Sequence, residues 1–153
     1  MGIEIEHKFL VVGDGWRQGA GTPCSQGYLN RAAQRTVRVR IAGERAFLTI
    51  KGVSQGATRS EFEYEIPVDD ARQLLQLADG PVIEKTRRVV MHEGSRWEVD
   101  EFFGENAGLV VAELELESED QPFARPAWLG REVTDDPRYY NSNLAANPYR
   151  SWK

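Results

Sequence analysis

One cysteine and two histidines stand among 153 residues. Cys24 alone cannot close an intramolecular disulfide, and a reducing cytoplasm is the expected compartment. With so few thiols and imidazoles, no Cys/His cluster of the kind that holds zinc is in sight. No stretch reaches the roughly 18 consecutive apolar residues of a transmembrane helix, so no membrane partner is expected. No basic-then-apolar leader opens the chain, which enters a strand pattern at once. Tandem repeats, low-complexity tracts and an inter-domain linker are missing too, so one domain spanning 1–153 is expected, large enough to bury a real core. Hydrophobic residues make up 41 %, ordinary for a globular chain and too many for a disordered one. The formal charge of −5 argues against nucleic acid as a partner, although a net value hides how the charges are distributed.

What is present is charge at every second position. Glu4, Glu6 and Lys8 alternate with Ile3, Ile5, His7 and Phe9. On a strand, alternate side chains share a face, so two acids and a lysine point the same way. The pattern recurs: Thr36, Arg38 and Arg40; Thr49 and Lys51; Glu61, Glu63 and Glu65; Lys85 and Arg87; Glu98 and Asp100; Glu113, Glu115 and Glu117. β-Branched and aromatic residues fill many of the places between. Together with Gln26–Leu29 these segments predict about eight strands, mostly antiparallel because little chain separates them. Ala42-Gly43-Glu44 and Glu93-Gly94-Ser95 read as hairpin turns.

Helices are fewer. Asp69 or Asp70 caps a predicted helix over 70–78, with Ala71, Leu74, Leu75 and Ala78 on one face, and Gly80-Pro81 stops it. Asp135-Asp136-Pro137 starts a second, with Tyr140, Leu144 and Ala145 buried. Residues 13–23, with four glycines and a proline, read as a loop, and Cys24 next to them is likewise expected in a loop. Residues 122–126 read as another break. The four tryptophans are expected to pack, and His7 and His92 to lie on outward faces.

If each charged face met water, the strands would form a sandwich with a solvated skin. The signs are segregated strand by strand, however: Glu/Glu, Arg/Arg, Lys/Arg, Glu/Asp. Like charges two apart on one face repel unless something compensates them. A closed barrel with these faces inward surrounds a cavity with basic and acidic walls. Such burial is costly and is tolerable where the cavity is wet and binds matching charge. Basic walls call for a polyanion, clustered carboxylates for hard divalent cations.

These ordered pairs, Glu4-x-Glu6-x-Lys8, Arg38-x-Arg40, Lys51, Glu61-x-Glu63, Lys85-x-Arg87, Glu98-x-Asp100 and Glu113-x-Glu115, resemble the CYTH, or triphosphate tunnel metalloenzyme, family from residue 4 to about residue 147. The stretches Glu132–Thr134 and Arg138–Leu144 resemble its C-terminal portion. The resemblance implies a mostly β, α+β fold: an eight-stranded antiparallel closed barrel, its lumen a tunnel, with a few flanking helices. It also implies hydrolysis of a triphosphate, or in one branch cyclisation of ATP, with a divalent metal. Lys8, Arg38, Arg40, Lys51, Lys85 and Arg87 are then the phosphate-binding set. Glu4, Glu6, Glu113 and Glu115, followed by Glu61 and Glu63, are the metal set, for one or two Mg²⁺ or Mn²⁺ ions. Glu98, Asp100 and Arg138 support them. Tyr28, facing inward near Lys8, is a candidate base beside that lysine, the alternative being a tyrosine packed at a barrel end. Arg59 flanks the acidic strand within reach of phosphate.

The substrate stays open among inorganic tripolyphosphate, thiamine triphosphate, nucleoside triphosphates and ATP cyclisation. Short loops leave little surface for an organic group, which favours inorganic tripolyphosphate cut to pyrophosphate and phosphate. A non-catalytic polyphosphate-binding module is the alternative of another class; its anion would gain nothing from the carboxylates. Exposed apolar positions are compatible with a homodimer.

Overall fold

A computed structural model describes residues 2–152. Nine strands appear among them: β1 (Gly2–Val11), β2 (Thr22–Asn30), β3 (Arg35–Ala42), β4 (Arg45–Gly52), β5 (Thr58–Ile66), β6 (Ile83–His92), β7 (Ser95–Phe102), β8 (Val110–Glu115) and β9 (Leu129–Glu132). Helix α1 (Val68–Leu75) follows β5, and α2 (Asn141–Ala146) lies near the C-terminus. The strands run in the order β5-β4-β3-β2-β6-β7-β8-β1, and β1 pairs back onto β5. An eight-stranded barrel closes in this way, every ladder antiparallel, as the alternation predicts.

β1 closes the barrel because its free edge serves two neighbours in turn. Its first half, Gly2–Ile5, pairs with Glu61–Thr58 of β5. Where β5 leaves off, β9 takes over at Phe9 and Val11. β9 is a ninth strand beyond the eight read from the sequence. It is only four residues long and shows no alternating charge, so period two could not mark it.

Both expected hairpins form. Ala42 pairs with Arg45 and His92 with Ser95. In the second, Glu93 and Gly94 both take positive φ, 45° and 82°, which a two-residue hairpin with the right-handed strand twist demands.

The barrel is apolar outside and charged inside. The outward faces of β1, β7 and β8 carry Phe9, Trp97, Val99, Ala112 and Leu114, buried beneath Trp16, from the segment before β2, and Phe123 and Trp128, from the segment before β9. Trp97 meets Phe9, Phe123 and Trp128 edge to face at 5.6, 5.7 and 5.6 Å. α1 covers β3 and β4, setting Ala71, Leu74 and Leu75 on Val39, Ala46 and Leu48. α2 closes one barrel end, where Leu144 packs with Tyr28, Ile83, Phe102 and Val111. Trp152 packs on Tyr139 and Tyr149 at 5.2 and 5.1 Å. All four tryptophans therefore pack.

Three local expectations need correction. Cys24 lies in β2, buried, rather than in a loop, because β2 is an interior strand paired on both edges from Thr22 or Cys24 onward. α1 spans 68–75, not 70–78: Pro67 occupies the N-cap position, no side chain caps the helix, and Asp69 and Asp70 sit in its first turn, where the helix dipole favours them. The second helix begins later than Asp135-Asp136-Pro137 indicates. Asp136 caps a single 3₁₀ turn, Pro137–Tyr139, by accepting from the Arg138 N–H, and α2 follows it.

Trp97 is fully buried at the centre of the aromatic cluster. Trp97→Ala is expected to cost about 3–5 kcal/mol, read by equilibrium denaturation; an unchanged midpoint would show that the external cluster does not hold the barrel together.

Candidate functional site

The register brings the charged residues onto one inner wall. Lys8 lies opposite Glu113, Glu6 opposite Glu115, Arg38 opposite Tyr28 and Thr49, Lys51 opposite Glu61, and Arg87 opposite Asp100. Residues directly opposite in an antiparallel ladder share a face. Lys8 is held with particular care: the Val133 N–H donates to its carbonyl at 2.8 Å, and its own N–H donates to Thr134 Oγ1 at 3.0 Å. The strand after which this clip follows, β9, thus fixes the backbone of a predicted phosphate ligand.

The side chains cross-brace the lumen. Lys8 Nζ donates to Glu113 Oε2 at 2.8 Å and lies 3.4 Å from Glu6 Oε1. Lys51 Nζ and Arg59 Nε both donate to Glu4 Oε1, at 2.8 and 3.1 Å, and Lys51 also lies 3.3 Å from Glu61. Arg87 forks onto Asp100 at 2.7 and 2.8 Å and reaches Glu113 at 3.1 Å and Glu98 at 3.4 Å. Lys85 Nζ donates to Asp100 Oδ2 at 2.7 Å. Arg38 Nη2 reaches Thr49 Oγ1 at 3.2 Å and Glu63 at 3.5 Å. Arg40 Nε donates to Gln26 Oε1 at 3.0 Å. A narrow cavity remains between them, lined by Lys8, Tyr28, Arg38, Arg40, Lys51 and Arg59 from the strands and by Tyr140, Asn141 and Ser142 from the C-terminal segment.

The electrostatics are uneven. Burial alone would push Glu4 up, but Lys51 and Arg59 hold it down at about 2. Burial and the neighbouring Glu113 push Glu6 up to about 8, against the pull of Lys8. Burial would lower Lys8, yet Glu113 and Glu6 raise it above its ordinary value. Burial pulls Lys85 down to about 7, against Asp100 and with the help of Arg87 and Arg40. Arg40 falls to about 10 through burial and the adjoining Arg38 and Arg87. Glu61 is raised by burial and by Glu4, and Glu115 by burial, Glu4 and Glu98.

Among the described residues, no three carboxylate or imidazole side chains converge as a ready-made metal cage. The donor set nevertheless fits a hard divalent cation. Glu6 and Glu113 are buried together with more negative charge than Lys8 neutralises for Glu6, and Glu115 has no ion-pair partner among residues 2–152. A cation among these oxygens would offset the burial, and the lesser repulsion from neighbouring carboxylates, that raise Glu6 and Glu115.

Almost every predicted site residue reaches the lumen; Arg138 does not. Its guanidinium pairs with Asp136 at 2.7 Å and stacks on Tyr139 and Trp152 on the outside, because the 3₁₀ turn before α2 directs it away from the barrel. Glu63 and Glu115 sit at an open end, exposed, and Glu65 is exposed with Arg45. Asp100 balances Lys85 and Arg87, while Glu98 bridges Arg87 and Arg96. Sequence reasoning missed Gln26, Tyr140 and Asn141 as lumen residues. Gln26 shares the parity of Tyr28, so the alternation could have placed it inside; Asn141 follows an irregular turn and carries no periodic signal.

Residues 2–142 match the CYTH domain. The chain belongs to this family. It is 52 % identical to the inorganic triphosphatase of Acetivibrio thermocellus, covering 100 % of this chain and 99 % of the relative. It is 38 % identical to the inorganic triphosphatase of Nitrosomonas europaea, covering 93 % and 96 %. A crystal structure of an inorganic triphosphatase, 36 % identical, superposes with a TM-score of 0.66 over 93 % of each chain. With inorganic triphosphatases as relatives over nearly its whole length, the chain is a phosphoric anhydride hydrolase, and its family implies dependence on a divalent metal. No helix among residues 2–152 is long and apolar enough to cross a membrane.

The raised Glu6 carboxyl makes a testable mark on stability. Its proton is bound in the folded chain up to about pH 8 and in the unfolded chain only to its ordinary value near 4.5. Between these values the folded state binds more protons, so Glu6 contributes a loss of stability as pH rises. In metal-free protein, Glu6→Gln is expected to flatten the fall in melting temperature from pH 5 to 8; an identical slope in wild type and variant refutes the assignment.

Proposed function

We propose that the lumen hydrolyses inorganic triphosphate to pyrophosphate and phosphate, with Mg²⁺ or Mn²⁺ as one or two bound ions, in the cytoplasm. The observation that carries the substrate charge is Arg38 Nε: a buried donor with no hydrogen-bond partner among the described residues, on a side chain that lines a cavity walled by further cations. A buried N–H left unpaired is costly, and a phosphoryl oxygen would satisfy it.

Lys8, Arg38, Arg40, Lys51, Lys85 and Arg87 grip non-bridging oxygens along the chain of phosphates. Because each of these cations except Arg40 already rests on a carboxylate, substrate entry exchanges partners rather than exposing bare charge. Glu4, Glu6, Glu113 and Glu115, with Glu61 and Glu63 beside them, are freed to hold the metal. When bound, that metal neutralises charge on the phosphoryl oxygens and polarises water. Tyr28, lining the cavity with Lys8, orients the attacking water by its hydroxyl. Water attacks a terminal phosphorus, the bond to the bridging oxygen breaks, and pyrophosphate leaves with the electron pair.

A second reading has its own observation. A groove lined by Arg31, Val53, Pro137, Tyr140 and Asn143 adjoins the lumen through Thr36, Arg59 and Ser142. It offers room for the organic part of a nucleoside or thiamine triphosphate.

Phosphate release measured on tripolyphosphate, pyrophosphate, ATP and thiamine triphosphate, each with both metals, separates the readings. The fastest turnover is expected with tripolyphosphate; a faster organic triphosphate would favour the groove. Glu115→Gln breaks no ion pair among the described residues, so it should fold normally. It should still lose at least the roughly 10- to 100-fold typical of removing even an outer metal partner. Wild-type protein that releases no phosphate from any of the four would end the enzymatic reading.

A further inference from the structure

Asn141 sits at the first position of α2, where the helix closes the barrel end, and its side chain lines the lumen cavity. Two side chains converge on its Oδ1: Gln26 Nε2 at 3.0 Å and Lys85 Nζ at 3.2 Å. Which end of each amide carries oxygen follows from donor logic. Arg40 Nε can only donate, so the Gln26 atom 3.0 Å away is its oxygen. The other end of Gln26 is then an NH₂ group and must donate to Asn141. Lys85 as an ammonium likewise only donates. Both neighbours therefore fix the Asn141 oxygen toward β2 and β6, and the amide NH₂ must point the other way. Among the described residues Nδ2 has no hydrogen-bond partner, and Gln26 and Lys85, which hold the amide, are fully buried.

We propose that Asn141 is a further substrate-contacting residue, its Nδ2–H₂ donating to a phosphoryl oxygen in the lumen while its Oδ1 anchors Lys85 and, through Gln26, Arg40. The inference rests on the lumen being the triphosphate site and adds a neutral donor to its cationic wall. A neutral donor has a distinct use there. It holds an oxygen at the plugged end without adding to the repulsion among Arg40, Arg87 and Lys85.

Asn141→Asp is the discriminating variant. It keeps an acceptor for Gln26 and Lys85 but turns an oxygen, with charge, toward the substrate. The expected result is a rise of about tenfold or more in KM for tripolyphosphate, with a smaller change in kcat. The stabilisation that tripolyphosphate gives in thermal melts with the metal chelated should fall in parallel. Asn141→Ala, lacking donor and anchor alike, should also raise KM. A purely structural Asn141 predicts instead that the aspartate variant matches wild type and only the alanine variant suffers. A KM for Asn141→Asp within twofold of wild type, or an Asn141→Ala protein with unaltered KM, overturns the proposal. Wild-type protein that tripolyphosphate fails both to stabilise and to feed as substrate brings down the lumen reading itself, a result distinct from equal stabilisation of wild type and variants, which would overturn Asn141 alone.

Discussion

Pairing of opposite charges inside the barrel is the constraint on which the rest depends. Glu4, Asp100 and Glu113 are nearly inaccessible, and so are Lys8, Lys51 and Lys85. Ions taken out of water are tolerated only with close partners and saturated hydrogen bonds, and removing one partner of such a pair typically costs about 3–5 kcal/mol. The network meets that condition by sharing. Glu4 serves Lys51 and Arg59, Asp100 serves Lys85 and Arg87, and Glu113 serves Lys8 and Arg87. Charge density, not apolar packing, fills the inside.

That choice dictates the outside. A barrel with a polar lumen must bury its apolar faces elsewhere, and here most are covered, by different devices. The segments before β2 and before β9 bring Trp16, Phe123 and Trp128 over β1, β7 and β8, while α1 shields β3 and β4. Gly27 shows how close the cover lies: a Cβ there would come within 2.9 Å of Ala78, just beyond α1. The outer face of β5 stays bare, with Phe62 and Tyr64 about half exposed. The loops that look like spare chain between strands are the lids of an external core.

Much of this was legible in residues 4–8 alone, because a strand has a period of two and five residues suffice to show it. The barrel, its antiparallel ladders and nearly the whole inner wall follow from repeating that observation. What failed had no period to read. Cys24 hid in a strand because glycines before it resembled a loop, and Arg138 looked like a tunnel residue from charge alone, although Asp136 two places earlier claims it. Gln26 was overlooked for the opposite reason: it has the correct parity but no charge, and charge was what drew attention. Asn141 depends on how α2 docks onto the barrel end, a tertiary fact that no local pattern encodes.

The same network that makes the lumen tolerable also makes it responsive. A triphosphate is a ladder of negative charge, and a divalent ion is a compact positive one; entering together they are close to the pairs they displace. On the proposed reading, the lumen cations that rest on carboxylates trade them for phosphoryl oxygens, and the carboxylates so released trade a cationic side chain for a metal, with little change in the charge that is buried. The cost of desolvating the site was met when the chain folded, so binding starts from dipoles and charges already oriented. The raised Glu6 marks where the resting network compensates least, and Arg38 Nε where it leaves a donor bare. One is short of positive charge and the other of an acceptor, and a metal–phosphate pair supplies both.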